Sequence, residues 1–495
     1  MLERSAGILL PVSSLPSPYG IGTLGREAYR FADFLKKAGQ RYWQILPLGP
    51  TSYGDSPYQS FSTFAGNPYL IDLDLLVKDG LLKRSEIASR VWGGDPSRVD
   101  YAALHENRLA VLAIAKRRGW ERDRDAVRRF QRKNAAWLGD YALYMALKRH
   151  FGMRSWQQWD DEAARLREDT ALRRYRRLLR EDIELFIYVQ FLFYRQWDAL
   201  RAYLHGLGIL VIGDLPIYVA MDSADVWASP QLFRLDRRGF PKEVAGVPPD
   251  YFNEDGQLWG NPIYNYRAME KDGYAWWIAR VAGASRLYDV LRLDHFRAFA
   301  SYWTVKYGSP TARVGKWVKG PGMKLLGVLK EKFPDLQFIA EDLGELTPDV
   351  HRLRKRSGLP GMKVLEFAFT PGEESDYLPH RYTPHCACYT GTHDNPPLAL
   401  WRREEPEKAA YAARYFGLSP DDDFARGVIR GGMGSAAVLF VAQMQDYLGL
   451  TEGSRVNMPG IPDGNWQWRM LPGAASAQLA REIRKLTKQS GRLPT

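Results

Sequence analysis

The sequence predicts a (β/α)8 barrel of the TIM type, with large helical and loop insertions between its strands and no C-terminal β-sandwich domain. Three observations predict it. From residue 207 onward, short apolar runs alternate with polar loops and helical stretches, the pattern of parallel β/α units. Four of those runs lead into a carboxylate: Asp214, Asp294, Glu341 and Asp394. After residue 471 the chain reads as one helix, roughly 476–488, with no series of short alternating strands. In a barrel the C-terminal strand ends converge on one face, where active sites lie. A doubly wound open sheet is the alternative, but it gathers ligands at one crevice and does not bring four strand ends together.

The elements follow in order. RYWQILPL (41–48) reads as a buried strand ending at Pro47, and a Gly/Ser/Pro/Tyr-rich loop follows it, a place where function can sit. Residues 102–206 turn rich in Ala, Leu, Arg and Glu, with apolar residues at helical spacing such as Ala142 and Met145, and read as a helical insertion. GILVIGDLPIYV, LYDVLRLDHFRAF, LQFIAEDLGEL, VLEFAF and CACYTGTHDN then supply strands, with helical material such as GMKLLGVLKEKF between them. The expected organisation is a single catalytic barrel over 1–495. Residues 49–206 are mostly inserted material after the first strand, and 223–285 form an inserted loop or subdomain over the active site.

Composition narrows the function classes. At 45% hydrophobic and 25% charged, the chain is an ordinary globular protein. Its 16 Trp and 27 Tyr supply faces that bind sugar rings or fill cores. The net charge of +12 raises nucleic acid or an acidic membrane as partners. The densest basic stretch, Arg173, Arg174, Arg176, Arg177 and Arg180, is interleaved with Glu181, Asp182 and Glu184 on a predicted helix, which makes it a solvated face. No recognition motif accompanies the charge. Cys386 and Cys388 stand two apart on a predicted strand, so they point the same way and are poorly placed to bridge. The apolar N-terminal run is too short for a signal peptide, and Leu185 to Phe193 is too short to span a bilayer. The expectation is a soluble, cytoplasmic, monomeric protein with no nucleic-acid or membrane partner.

Asp294, Glu341 and Asp394 then stand out as a set. Any one alone reads equally as a helix cap or an ion-pair partner. Their neighbours point to chemistry. Arg292 precedes Asp294 by two residues and shares its strand face, where a guanidinium favours the ionised carboxylate a nucleophile needs. Glu341 follows the apolar QFIA, and a carboxyl at an apolar edge has a raised pKa, as a general acid requires. His393 beside Asp394 can hydrogen-bond sugar hydroxyls. Retaining glycoside chemistry uses one nucleophilic carboxylate and one carboxylic acid.

The segments GDLPIYVAMDSADVW, RLDHFRAF, IAEDLG and GTHDN resemble the four short conserved regions of the α-amylase superfamily. Together with SSLPSPYGIGTLG, GPTSYGDSPYQSFSTFAGNPYLID, GVPPDYFNEDGQLWGNPIYNY and RVNMPGIPDGNWQWR, they are similar in wording and order to the amylomaltases, or 4-α-glucanotransferases, of glycoside hydrolase family 77. The resemblance spans residues 7 to about 470. It implies Asp294 as nucleophile, Glu341 as acid/base and Asp394 as transition-state stabiliser acting with His393. Arg292 would orient the nucleophile, and Asp214 and Tyr58 would lie beside the cleaved sugar. Trp259, His295 and Asn465 would line the cleft, Tyr251 and Phe252 would lie in a loop arching over it, and Tyr53 would belong to a second glucan contact. The family needs no metal and no cofactor. The sequence departs from it at Pro11, Val12 and Ser13, where a His-Pro-Thr is usual, and at Pro396, Pro397 and Leu398. These departures bear on acceptor preference. The implied activity is transfer of α-1,4-glucan segments to glucose or another glucan, with cyclisation of long amylose as an extension. The implied partners are α-1,4-glucans and maltooligosaccharides. A hydrolase of the same superfamily and a non-catalytic glucan-binding protein are the rival readings.

Overall fold

In the computed structural model, which describes residues 3–249, 254–344, 346–461 and 463–494, a closed barrel forms the centre of the molecule. The strands among the described residues are, in chain order, β1 (Ser5–Leu9), β2 (Tyr42–Gln44), β3 (Leu210–Leu215), β4 (Glu243–Val247), β5 (Gln257–Pro262), β6 (Val290–Leu293), β7 (Ser301–Lys306), β8 (Gly315–Lys319), β9 (Gln337–Ala340), β10 (Gly361–Val364), β11 (Cys386–Tyr389) and β12 (Leu439–Gln443). The barrel closes in the order β1-β12-β11-β10-β9-β6-β3-β2, and every pairing in it is parallel. The predicted (β/α)8 fold is therefore the fold observed.

Strand alternation decides what fills the barrel. Leu9, Tyr42, Ile212, Val290, Ile339, Met362, Val364, Ala387, Tyr389, Leu439 and Val441 form a separate buried cluster inside it. Their neighbours Val211, Leu291, Phe338 and Phe440 join the larger core outside. Successive side chains on a strand point to opposite faces, so the residue two beyond each interior residue faces inward again. Two beyond Tyr42, Ile212, Val290, Ile339, Val364 and Val441 stand Gln44, Asp214, Arg292, Glu341, Glu366 and Gln443. Apolar layers thus end in a polar layer at the C-terminal mouth.

Helices fill the predicted insertion: Tyr101–Gly119, Arg124–Lys133, Leu138–His150, Asp169–Leu178 and Arg180–Gly206. The basic stretch is a salt-bridged face, with Arg174 on Asp161, Arg176 on Asp140 and Arg180 on Glu184. No described helix is long and apolar enough to cross a membrane. β4, β5, β7 and β8 form an antiparallel sheet in the order β5-β4-β7-β8, so the excursion near 223–285 draws in residues 301–319 as well. The C-terminal helix is Ala477–Gln489, capped by the Ser476 hydroxyl on the Leu479 amide. Cys386 and Cys388 are both buried and free.

Several element readings change. The strand over 41–48 shortens to β2, because Ile45 onward leaves the ladder. VLEFAF is not a strand: β10 ends at Val364 and a 3-10 turn follows over Leu365–Phe367. Its apolar run reflects loop residues buried above the barrel, since Leu365, Ala368 and Phe369 are inaccessible. Asp394 stands in the loop five residues beyond β11, not at its end. β1 and β12, which seal the barrel, carry no carboxylate and were not among the predicted strands.

Gly213 has no room for a side chain, since a Cβ there would meet the Tyr288 ring at 2.0 Å. Tyr288 is buried, and its hydroxyl accepts a hydrogen bond from the Leu48 amide at 3.0 Å. Gly213→Ala should therefore destabilise the barrel by about 1–3 kcal/mol through overpacking. Thermal unfolding of the variant beside the parent checks this, and an unchanged melting temperature would contradict it.

Candidate active site

At the mouth of the barrel one guanidinium meets three carboxylates. Arg292, on β6, has a side chain only 3% exposed. Its Nη1 donates to Asp214 Oδ2 at 2.6 Å and to Asp294 Oδ1 at 3.2 Å, and its Nη2 lies 4.0 Å from Glu341 Oε2. Burial opposes the charge on Arg292, but Asp214, Glu341 and Asp294 outweigh it and hold its pKa well above the usual range. Asp214, on β3, also accepts from the Tyr58 hydroxyl at 2.6 Å. Asp214 is almost wholly covered at 2% exposure, whereas Asp294 at 24% is open to a ligand.

Asp294 and Glu341, far apart in sequence, sit side by side at the mouth because β6 and β9 are neighbours. Glu341 N donates to the Leu293 carbonyl, and Phe296 N donates to the Glu341 carbonyl. The Glu341 carboxylate accepts from His295 N at 2.6 Å and from Leu343 N at 3.2 Å. Burial raises the Asp294 carboxyl to about 7, against the pull of Arg292. Burial raises Glu341 to about 8, against the pull of Arg292 and helped by repulsion from Asp294. The two titrate as a pair, with the proton held preferentially on Glu341.

His295, between them, has φ of 47°, a left-handed conformation rare for a non-glycine residue. That geometry turns its amide onto Glu341. Its ring packs edge-on against Trp259 at 4.8 Å, and burial lowers its pKa to about 3, so it is neutral.

Across the mouth stands Asp394, 40% exposed. Its Oδ1 accepts from Asn457 Nδ2 at 2.6 Å and lies 3.3 Å from His393 Nε2. Arg455 Nη2 donates to its backbone carbonyl at 2.5 Å. Tyr58 stacks on His393 at 5.2 Å, and Trp466 flanks both rings. Burial lowers the pKa of His393, keeping its ring neutral. Beneath Asp394, Asn395 Oδ1 accepts from Thr392 N and Oγ1, and Asn395 Nδ2 donates to Glu366 Oε2 at 3.2 Å. Asp446 accepts from Thr390 Oγ1 and from Leu398 N. Two buried carboxyl groups therefore clamp this loop.

The predicted residues Asp214, Arg292, Asp294, His295, Glu341, Asp394, His393, Tyr58 and Trp259 form this one constellation. The Asn465 amide is spent within its own loop, on Met458 N, Met458 O and Ile461 O. Tyr251 and Phe252, and the side chain of Tyr53, lie outside the described residues. Asn457, Arg455 and Trp466 were not singled out from the sequence. Their signal was present, since all three fall within or beside RVNMPGIPDGNWQWR, but nothing local says which of its polar residues reaches Asp394. Among the described residues, no group of three His, Cys, Asp or Glu is placed to hold a metal ion.

Comparison with known proteins places this arrangement. The family model described as 4-alpha-glucanotransferase, glycoside hydrolase family 77, matches residues 10–474. A 4-alpha-glucanotransferase of Clostridium butyricum is 45% identical over 97% of this chain and 99% of its own length. One from Thermus thermophilus is 47% identical over 99% of this chain and 100% of its own. The amylomaltase from Streptococcus agalactiae in complex with acarbose superposes with a TM-score of 0.97 at 42% identity, covering 99% of this chain and 100% of that one.

The raised Glu341 carboxyl has a measurable consequence for stability. The unfolded chain releases this proton near the ordinary value of 4.5, whereas the folded chain keeps it to about 8. Folding therefore loses stability as pH rises between those values. Gln has no proton to lose, so Glu341→Gln should melt increasingly above wild type as pH rises from about 4.5 to about 8. A melting difference that is flat or narrows over that window would refute the assignment.

Proposed function

The chain belongs to the 4-alpha-glucanotransferases of glycoside hydrolase family 77, and from this we propose that it moves α-1,4-glucan segments by a retaining double displacement, with Asp294 as nucleophile and Glu341 as acid/base. The observation that carries this assignment is the single guanidinium shared by the two carboxylates, at 3.2 Å and 4.0 Å. Retention uses two carboxyl groups about 5–5.5 Å apart, and a shared guanidinium holds this pair close together. Asp294 titrates below Glu341, at about 7 against about 8, so ionisation falls first on Asp294 and the proton stays on Glu341.

In the first step Glu341 protonates the departing glycosidic oxygen while Asp294 attacks the anomeric carbon. The bond to the leaving glucan breaks as the bond to Asp294 forms. In the second step Glu341, now ionised, takes the proton of an acceptor 4-hydroxyl, which displaces Asp294 and restores the original anomeric configuration. Asp394 and the neutral His393 ring hold ring hydroxyls as positive charge develops at the anomeric carbon. Asn457 fixes the Asp394 carboxylate for that task. Tyr58, Trp259 and Trp466 give the sugar aromatic faces, and Asp214 holds Arg292 in place.

We assign α-1,4-glucans and maltooligosaccharides as donors and glucose or a glucan end as acceptor. A long amylose chain whose own end attacks would close into a ring. Every step uses side chains of this chain. On the same reading 1–495 work as one catalytic unit, and the 49–206 and 223–285 insertions wall the cleft.

Incubation with pure maltotriose tests the assignment. The expected result is a ladder of longer maltooligosaccharides plus glucose at constant total reducing ends. Rising reducing ends without longer products would instead mean hydrolysis on the same carboxylates. Glu341→Gln should lower turnover by about 10²–10⁴-fold, the range for lost general acid–base catalysis.

The pH profile gives a second test. The active form has Asp294 ionised and Glu341 protonated, so kcat/KM should rise through a value near 7 and fall through a value near 8. A profile flat from pH 5 to 9, as an interval of about four units spanning both values, would contradict the paired titration.

A further inference from the structure

Arg469, at the end of the segment that carries Trp466, lines an open cavity of about 420 Å³. This is within the roughly 300–1,000 Å³ of small-ligand sites. Tyr19, Trp92, Asp95 and Arg469 line it, with Pro18 and Pro96 at its exposed rim.

Trp92 is held as a rigid platform. Its Nε1 donates to the Ile87 carbonyl at 3.1 Å, and its edge packs on Tyr19, whose own hydroxyl is tied to Asp74 at 2.8 Å. The Arg108 guanidinium lies 4.9 Å from the centre of the Trp92 ring. Arg108 is fully buried and is not among the residues that line the cavity. Gly20 locks the rim, because a Cβ there would strike the Trp92 carbonyl at 2.1 Å.

The polar groups are placed to serve a ligand. Arg469 lines the cavity although it is 5% exposed, and among the described residues only its Nη2 is engaged, on the Leu15 and Ser17 carbonyls, which leaves Nη1 uncommitted. Asp95 is exposed, and both of its hydrogen bonds fall on Oδ1, from Ser97 N and Ser97 Oγ. A cation and an anion facing one cavity leave it without a net charge for an ionic ligand. An aromatic face beside one donor and one acceptor matches a neutral ring carrying adjacent hydroxyls.

Position supports the same ligand. Asn457 on Asp394, Trp466 beside Tyr58, and Arg469 in this cavity lie on one continuous segment. The three residues from Trp466 to Arg469 span at most about 11 Å. A chain of a few sugars leaving the cleft reaches that far.

We propose that this cavity is an accessory site for α-1,4-glucan chains, with a pyranose ring on Trp92 and neighbouring hydroxyls on Asp95 and Arg469. The choice of ligand rests on the function proposed above. It would retain a polymeric donor or acceptor near the cleft and be indifferent to a trisaccharide held at the reaction centre.

Affinity electrophoresis through native gels containing glycogen tests it, with maltotriose disproportionation measured on the same preparations. Trp92→Ala and Asp95→Ala should each weaken retention by glycogen, Trp92→Ala by about tenfold. Both should keep maltotriose kcat/KM within about twofold of wild type. Asp95 is exposed, so its variant decides the matter if Trp92→Ala does not fold. Undiminished retention of Asp95→Ala together with any folded Trp92→Ala would overturn the site. Wild type that is retained through Trp92 and Asp95 but makes no ladder from maltotriose would instead overturn the catalytic reading and leave the site standing.

Discussion

Everything at the mouth of the barrel depends on one buried guanidinium. A charge that deep is tolerated only when it is paired, because desolvating it alone costs several kcal/mol. Arg292 is paired more than once, and Asp214 is the partner that completes the arrangement. Asp214 is nearly inaccessible and gives its closest oxygen to both Arg292 and Tyr58. It thereby fixes the direction of the guanidinium, whose remaining positive charge faces both Asp294 and Glu341. Burial raises both carboxyl groups, and of the two Glu341 holds its proton to the higher pH.

The barrel makes this possible through simple alternation. Apolar side chains fill the lumen, and the next inward position on strand after strand is polar. Arg292 and Asp214 lie on adjacent paired strands at matched register, so their contact is set by the sheet itself. Glu341 is the inward position beyond β9 and comes beside Asp294 because β9 pairs with β6. Asp394 is the exception. It is held by a loop, and the loop is held from below by Glu366 through Asn395 and by Asp446 through Thr390 and Leu398. Gly391 is what lets the clamp close, since a Cβ there would lie 2.7 Å from Glu366 Oε1.

This explains what was legible in the sequence. Asp214, Arg292, Asp294 and Glu341 lie at or just beyond strand ends, where period-two alternation and apolar runs mark both the strand and its inward face. The helical insertion and the terminal helix were legible for the same reason, through helical spacing. β1 and β12 were not, because they end in no carboxylate that draws notice, although each pairs on both sides in the barrel. VLEFAF read as a strand because burial above a barrel gives the same apolar run as burial inside a sheet. Asn457 and Arg455 were hidden because they reach Asp394 across about sixty residues of chain. Local pattern carries no information on such a contact.

The two cysteines have a practical consequence. They are the only thiols in the 495 residues, and both are packed behind β11. Burial pushes Cys386 up to about 11 and Cys388 up to about 12, so neither offers a thiolate at neutral pH. To a maleimide or a spin-label reagent the native surface is blank. A cysteine engineered at the rim of the cleft would then be the sole point of attachment, and a probe could report on glucan passage without first stripping the protein of its own sulfur.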